Sequence, residues 1–403
     1  MKTHVETLAA YARLAVRVGV NLQPGQQLFV NCLVQHAPLA RVVAAEGYLA
    51  GASYVDVYYG DQHLRRAQAE GAPDDSLDWS PPWLVQRLND LGDSGGALLA
   101  IIGNPDPGLF EGVDGARLGR TRMRSVAETG LTLTGGRCNW SAVAYPTGGW
   151  ATSVFGEPDV DRLWEAVATA VRLDEPDPVA AWQAHVARLA HRAEGLSERR
   201  FDALRYRGPG TDLTVGLHPE GDWLAALDRA NGIDFVANMP TEEVFTTPDA
   251  RRVDGTVSAT YPLELAGSLI RGLRITFEGG RATEIRAEEG EDVVRAHFAS
   301  DDGAARLGEI ALVDRTSRVG QSGLVFFNTL FDENAASHIA LGAGIVRAIP
   351  RAQAMAPEER HAAGINHSSV HTDFMIGSPE VAISGVSADG TETPIMEGGN
   401  WAL

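Results

Sequence analysis

The sequence predicts two domains: an α/β domain with a largely parallel sheet at residues 1–197, and a β-rich α+β domain at residues 198–403. Three observations support this prediction. The chain has 403 residues, which is long enough for two hydrophobic cores. In its first half, apolar segments of helical period alternate with apolar segments of strand length, as is typical of a parallel sheet covered by helices. From about residue 198 the pattern changes to short alternating runs between Gly, Asp and Pro, which predicts antiparallel hairpins.

The elements of the first domain follow from that alternation. A helical repeat runs from Val5 to Val18 and ends at Gly19. Further helices are predicted at residues 37–51, 158–173 and 177–196. Strands are predicted at residues 27–33 (QLFVNCL), 52–61 (ASYVDVYYGD), 97–103 (ALLAIIG) and 139–146 (NWSAVAYP).

The second domain is predicted to consist mainly of strands. The runs RFDALRYRG, TDLTVGLH and PEVAISGVSADGT alternate with period two, and RGLRITFEGGRATEIRAEEG has the pattern of a hairpin. One helical stretch, EGEDVVRAHFASDDGAARLG, interrupts them. We expect antiparallel sheets with a short helix between strands.

Composition restricts the classes of partner. The formal net charge of −19 argues against nucleic acid or an anionic membrane surface, because both require a basic footprint, and it favours attraction of divalent cations. No signal peptide or membrane-spanning segment is expected. The only two cysteines, Cys32 and Cys138, are far apart in sequence and indicate core residues of a reducing compartment. We therefore expect a cytoplasmic protein.

Acidic side chains and histidines in the second domain stand out because their neighbours are apolar. Glu309 lies in the strand-like LGEIALVDR, and His371 and Asp373 are two residues apart in SVHTDFMIG, hence on one side of a strand. In TEEVFTTP, alternation places Glu243 on the face of Phe245 and the preceding glutamate on the other face. These are candidate metal ligands.

The stretch LFDENAASHIALG contains two further candidates, Glu333 and His338. A separation of five residues matches neither a helix face nor a strand face, so the two converge only if the chain bends through NAAS. Spacing alone leaves alternatives open: a lone Glu in a strand is more often on the surface, and a lone His among apolar residues is more often a hydrogen-bonded core residue.

Several long segments resemble one known family. NMPTEEVFTTPDARRVDG, LGEIALVDRTSRVGQSG, FFNTLFDENAASHIALG and GINHSSVHTDFMIG, in this order, are similar to the motifs of the thermophilic-aminopeptidase family of metallopeptidases (peptidase family M29). QHAPLARVVAAEGYLAGASYVDVYYGD and VAYPTGGWATSVF resemble N-terminal segments of that family, so the resemblance covers essentially the whole chain.

The resemblance implies a homodimeric aminopeptidase that acts on peptides with two divalent metal ions, Zn²⁺ or else Co²⁺ or Mn²⁺, held by the second domain. Four carboxylates and two imidazoles suit such ions, and a ligand charge of about −4 balances two M²⁺ ions. Glu309 is assigned the bridging, catalytic position. Asp332 and Asn334 are expected to orient ligands. The ligands that the resemblance implies are Glu243, Glu309, Glu333, His338, His371 and Asp373.

One position departs from the expected pattern. Seven residues after His338, where the family resemblance leads us to expect a tyrosine, this chain has Ile345. A tyrosine there would donate a hydrogen bond to a developing oxyanion, and loss of one such donor costs about 10²–10³ in rate. Tyr261 is the nearest tyrosine in sequence within the second domain. An alternative is therefore a metal-binding relative with weak or altered catalysis, acting as a peptide-binding dimer or on another amide or ester.

Overall fold

The computed structural model describes residues 4–265 and 268–403 of the chain, which form two compact units. The first comprises the described residues up to His185 together with Leu227–Pro240, and the second comprises Val186–Ala226 and Thr241–Leu403. The sequence placed residues 227–240 in the second domain. They lie with the first unit because Asn238 and Met239 extend its parallel sheet.

The described helices and strands have the following bounds. The α-helices are α1 (His4–Leu14), α2 (Ala37–Leu49), α3 (Gln62–Gly71), α4 (Pro82–Asp93), α5 (Gly115–Arg120), α6 (Arg124–Thr132), α7 (Gly148–Phe155), α8 (Val160–Ala170), α9 (Pro178–Arg199), α10 (Glu291–Phe298), α11 (Arg318–Gln321), α12 (Thr329–Asp332) and α13 (Pro357–Ala362). The strands are β1 (Gln27–Leu33), β2 (Tyr54–Gly60), β3 (Ala97–Ile102), β4 (Asn139–Ala144), β5 (Ala203–Gly208), β6 (Thr211–Leu217), β7 (Leu227–Ala230), β8 (Ile233–Val236), β9 (Asn238–Met239), β10 (Glu243–Thr246), β11 (Pro248–Ser258), β12 (Leu263–Leu265), β13 (Ser268–Ile270), β14 (Arg274–Glu278), β15 (Arg281–Arg286), β16 (Leu307–Val313), β17 (His338–Gly342), β18 (His371–Met375), β19 (Ala382–Val386), β20 (Glu392–Glu397) and β21 (Asn400–Trp401).

The first unit is built on a parallel sheet with the order β2-β1-β3-β4-β9. Its strands fall where the apolar runs predicted them, and helices fill the connections β1–β2, β2–β3 and β3–β4, as parallel strands require. The predicted α/β class of this part of the chain is confirmed. Among the described residues, no helix is long and apolar enough to span a bilayer.

Among the described residues, the second unit contains an eight-stranded and a four-stranded antiparallel sheet, together with the two-stranded pair β12-β13. The larger has the order β15-β14-β11-β6-β5-β19-β20-β21, and the smaller has the order β10-β16-β17-β18. Val244, Ile310, Ile339 and Phe374 of the smaller sheet are 0–1% exposed and belong to the same apolar core as Leu204 of the larger sheet. The predicted β-rich class is confirmed, and one face of the smaller sheet is committed to the core.

Candidate metal centre

The smaller sheet sorts its side chains by alternation, so that its second face collects the charged residues. Directly opposed residues of an antiparallel pair share a face. Glu309 pairs with Ala340, and Ala340 pairs with Asp373. One row away, Ala311 pairs with His338. Five of the six predicted ligands therefore share this face: Glu243, Glu309, His338, His371 and Asp373.

The floor between these ligands is made of small side chains. Ala340 lies between Glu309 and Asp373, and Ala311 is the cross-strand neighbour of His338. Both alanines are fully buried. A methyl group at each position leaves room above the sheet, where a larger side chain would fill the space between the carboxylates.

The ligand atoms form two overlapping groups. In the His338 cluster, atoms of Glu243, Glu309 and His338 lie within 4.8 Å of one another. In the His371 cluster, atoms of Glu309, His371 and Asp373 satisfy the same limit. Glu309 belongs to both clusters, so its carboxylate lies between them.

Both histidines direct the same nitrogen towards the carboxylates. His338 Nε2 is 3.2 Å from Glu243 Oε2, and its Nδ1 is 3.3 Å from the Ala336 carbonyl oxygen. His371 Nε2 is 2.9 Å from a Glu309 oxygen, and its Nδ1 is 2.9 Å from the Ala343 carbonyl oxygen. A carbonyl oxygen only accepts hydrogen bonds, so each Nδ1 carries the hydrogen and each Nε2 is the atom available to a ligand.

The carboxylates strongly favour a positive charge at those nitrogens. Burial lowers the pKa of His338, but Glu243 and the surrounding acids outweigh this effect and raise the pKa to about 10. Burial is likewise outweighed at His371, where Asp373 and Glu309 raise the pKa to about 12. The neighbouring acids respond in opposite directions. Burial raises the pKa of Glu309, whereas His371 lowers the pKa of Asp373 in spite of its burial.

The donor set fits divalent cations. Without a cation, each Nε2 must hold a proton to sit among carboxylates, and a metal ion can take the place of that proton. Glu243 Oε2 is also buried and accepts no hydrogen bond of good geometry. Carboxylate oxygens and imidazole nitrogens together suit Zn²⁺, Co²⁺ or Mn²⁺.

Glu333 reaches the same environment through a bend. Helix α12 ends at Asp332 and strand β17 begins at His338, so the chain turns between the two predicted ligands, as their spacing of five requires. Burial raises the pKa of Glu333 well above its usual value, and the carboxylates of Glu243 and Asp373 raise it further. Glu333 is thus electrostatically part of the group.

Asn334 fastens this bend to the strand that carries Glu243. Its Oδ1 accepts a hydrogen bond from the Glu242 backbone N–H at 2.7 Å, and its Nδ2 donates to the Leu330 carbonyl at 2.9 Å. The Glu242 carboxylate instead contributes to the electrostatic surroundings of Arg192, as alternation along the strand requires. The carboxylates of Glu242 and Glu243 therefore lie in different surroundings, and only that of Glu243 belongs to the His338 cluster.

Asp332 contacts backbone and none of the described ligand atoms. Its carboxylate accepts hydrogen bonds from the N–H groups of Phe326 (2.7 Å) and Asn328 (3.0 Å), and burial raises its pKa to about 6. It thereby shapes the loop before α12. Tyr261 lines a cavity of about 210 Å³ together with Ser337 and Gly377.

Ile345 is half-buried, and its side chain supplies no hydrogen-bond donor. Its backbone N–H donates to Thr247 Oγ1 at 3.2 Å, and the Thr247 hydroxyl donates to the Gly308 carbonyl at 2.6 Å. Position 345 lies two residues after Ala343, whose carbonyl holds His371. The departure seen in the sequence therefore lies two residues along the chain from the carbonyl that contacts His371.

Sequence reasoning missed the polar residues that support the ligands from other segments. These include Thr247, which bonds to Gly308 next to Glu309, and Asn366 and Asp301, which bond to the segments around His371. The polar run NHSS before HTDFMIG was a signal for such a role, but its partner Asp301 lies 67–68 residues away in sequence. Residue spacing within a helix or strand predicts only contacts between residues that are close in sequence.

The chain is similar to known proteins over its full length. A family model described as thermophilic metalloprotease (M29) matches residues 4–401. The chain is 42% identical over 411 residues to aminopeptidase T from Thermus aquaticus, with 100% of both chains covered. It is 40% identical over 404 residues to aminopeptidase 2 from Geobacillus stearothermophilus, with 98% of each covered.

The fold is similar to a solved structure as well. The structure titled wild-type AmpT from Thermus thermophilus superposes with a TM-score of 0.92, at 40% identity and with 100% of both chains covered. Similarity in sequence and in fold therefore extends through both units.

Proposed function

Because the chain belongs to the thermophilic metalloprotease (M29) family, we propose that it removes N-terminal residues from peptides with two divalent cations at this centre. The family membership confirms the resemblance of its motifs and makes the protein a metal-dependent hydrolase. The relatives named above are aminopeptidases, which supports peptides as the substrate class.

A single observation carries the proposal of two cations. Glu309 contributes to both clusters, and each cluster has its own histidine with Nε2 directed inwards. One cation would therefore be held by Glu243, Glu309 and His338, and the other by Glu309, His371 and Asp373. Glu333 adds a fourth carboxylate, which brings the ligand charge to about −4 and balances two M²⁺ ions.

The residues of the chain would divide the work as follows. Bound divalent ions would supply Lewis acidity, which polarises a carbonyl and lowers the pKa of water so that hydroxide is available near neutral pH. Glu309 would contribute to the binding of both cations, because its carboxylate belongs to both clusters. The Ala336 and Ala343 carbonyls fix the orientation of the two imidazoles, so that each Nε2 keeps its place during turnover.

Ile345 bears on the rate more than on metal binding. A hydroxyl donor is expected at this position from the family resemblance, and the isoleucine cannot replace it. We therefore propose slower turnover than a tyrosine at the same position would give, by up to about 10²–10³. We also propose that the protein is a homodimer, which light scattering coupled to size-exclusion chromatography tests. We propose a cytoplasmic location as well, which cell fractionation tests.

The deciding experiment measures metal content and activity on the same sample. We expect two equivalents of Zn²⁺, Co²⁺ or Mn²⁺ per chain, and hydrolysis of leucyl-p-nitroanilide that a chelator abolishes and the ions restore. Two bound ions with no turnover on a panel of aminoacyl substrates would instead support a peptide-binding relative. Activity that survives complete removal of metal would refute the proposal.

A further inference from the structure

Strand pairing alone supports the position of His371 only weakly. It is the first residue of β18, which is an edge strand of the smaller sheet, and its side chain is 32% exposed. By contrast, the His338 side chain is 2% exposed and lies on an inner strand. Among the described residues, strand pairing restrains β18 from one side only, so we expect the segment before His371 to contribute to its position.

That segment is held by Asp301, through what we name the Asp301 clasp: Asp301, Ser368 and Ser369. The Ser368 hydroxyl donates to both carboxylate oxygens of Asp301, at 2.9 and 3.0 Å. Ser369 donates twice to Oδ2, from its N–H at 2.8 Å and from its hydroxyl at 2.7 Å. Oδ1 also accepts the N–H groups of Gly303 and Ala304, both at 2.9 Å, so the carboxylate joins its own turn to the segment before β18.

Asn366 reinforces the same connection from the buried side. Its Nδ2 donates to the carbonyl oxygens of Gly303 at 2.8 Å and of Gly342 at 2.5 Å. Gly342 is the residue paired with His371, and its φ of 110° brings the backbone close to the Val370 carbonyl, where a Cβ would lie only 2.0 Å away. The clasp therefore holds the backbone immediately before His371, and Asn366 holds the residue paired with His371.

The clasp does not belong to the hydrophobic core. Ser369 is exposed, and the three clasp residues border an open cavity of about 610 Å³. Removal of one of its hydrogen bonds leaves no void in the core, so we expect substituted chains to fold. The hydrogen bonds of the clasp instead orient the short segment of Ser368 and Ser369, which ends two residues before His371.

We propose that Asp301 is a positioning residue for His371, and that the clasp sets the affinity of the His371 cluster for a divalent cation while the His338 cluster is unaffected. The inference rests on the proposed function, because it assumes that both clusters bind cations. It goes beyond that function by assigning to a remote carboxylate the control of one of two sites.

The test is calorimetric titration of the metal-free full chain with Zn²⁺. For Asp301→Asn we expect one of the two binding events to weaken by about 10–100-fold, the range typical of lost support behind a metal ligand, and the other to stay as in the wild type. Asp302→Asn is the matched control, because Asp302 is the next residue, is exposed and pairs with Arg281 at 3.0 Å instead. It should titrate like the wild type.

Ser369→Ala guards against a folding artefact, since it removes one exposed hydroxyl and leaves the carboxylate in place. We expect it to weaken the same event by less than Asp301→Asn does, while Ser369→Thr restores the wild-type value. Two unchanged events in Asp301→Asn, or two equally weakened ones, would overturn the inference. A wild-type chain that binds no Zn²⁺ would overturn the proposed function and the inference together, which is a different result from either.

Discussion

The two clusters of the metal centre share Glu309 but are supported in different ways. His338 lies on an inner strand above a packed core, and Asn334 ties the bend that precedes it to the strand of Glu243. His371 is the first residue of an edge strand and also depends on hydrogen bonds from loops. The two histidines therefore differ: neighbouring strands on both sides hold the strand of His338, whereas His371 is more exposed and needs support from loop segments distant in sequence.

The largest effect should come from Glu309→Gln, which breaks both halves at once. The amide removes the negative charge that both clusters share and replaces one of the two carboxylate oxygens with an NH₂ group that cannot bind a cation, so we expect kcat to fall by about 10²–10⁴-fold and bound metal to fall below two equivalents. Activity and metal analysis of the purified variant measure this. Glu284→Gln, on an exposed position of β15, is the control and should behave as the wild type. Unchanged turnover in Glu309→Gln would remove Glu309 from the mechanism.

Ile345→Tyr should sharpen the contrast by improving the chemistry near the His371 half. A hydroxyl at this position is expected to raise kcat on leucyl-p-nitroanilide by up to about 10²–10³-fold. Ile345→Phe matches the ring without the hydroxyl, so it separates hydrogen bonding from shape. Equal rates for the two variants would show that the hydroxyl is not used.

Competition with a chelator should then distinguish the halves in the wild-type chain. Because the His371 half is more exposed and less preorganised, we expect metal to leave in two phases whose dissociation constants differ by about 10–100-fold. His371→Gln should abolish the weaker phase and keep the tighter one. If His338→Gln abolishes the weaker phase instead, the assignment of the halves is reversed.

The smallest effect concerns the acid stability of the His371 side. Burial raises the pKa of Asp301, but the hydrogen bonds from Ser369 and Ser368 lower it to about 2. The folded pKa lies below the unfolded value of about 3.9, so the stabilisation is complete above pH 4 and is lost as the pH falls to 2. Denaturant unfolding of wild type and Asp301→Asn should differ at pH 5 and converge near pH 2. A constant difference over that range would exclude the carboxylate as its cause.

Much of the fold could be predicted from the sequence because its signals are local. The run QLFVNCL became β1 over Gln27–Leu33, and alternation in TEEVFTTP correctly placed Glu243 with Phe245. The ligand roles of the six side chains stay a prediction that rests on resemblance, although the structure brings five of them together and couples Glu333 to them electrostatically.

The remainder depends on contacts between distant segments, which spacing does not encode. The bond between Asp301 and Ser368 spans 67 residues, and β9 joins the first sheet although it follows two strands of the second unit. Asp332 was expected to orient ligands, but its buried carboxylate instead binds loop N–H groups. Composition around these residues shows polarity without showing the partner.

The two alanines beneath the carboxylates have a consequence for how such centres change over time. Ala311 and Ala340 carry no charge, yet the size of their side chains limits the space above them. A valine at either position would fill the space between the carboxylates above the sheet, while all six predicted ligands stay in the sequence. A chain can therefore lose this chemistry by gaining two methyl groups, and a search for ligand residues alone would still count it as intact.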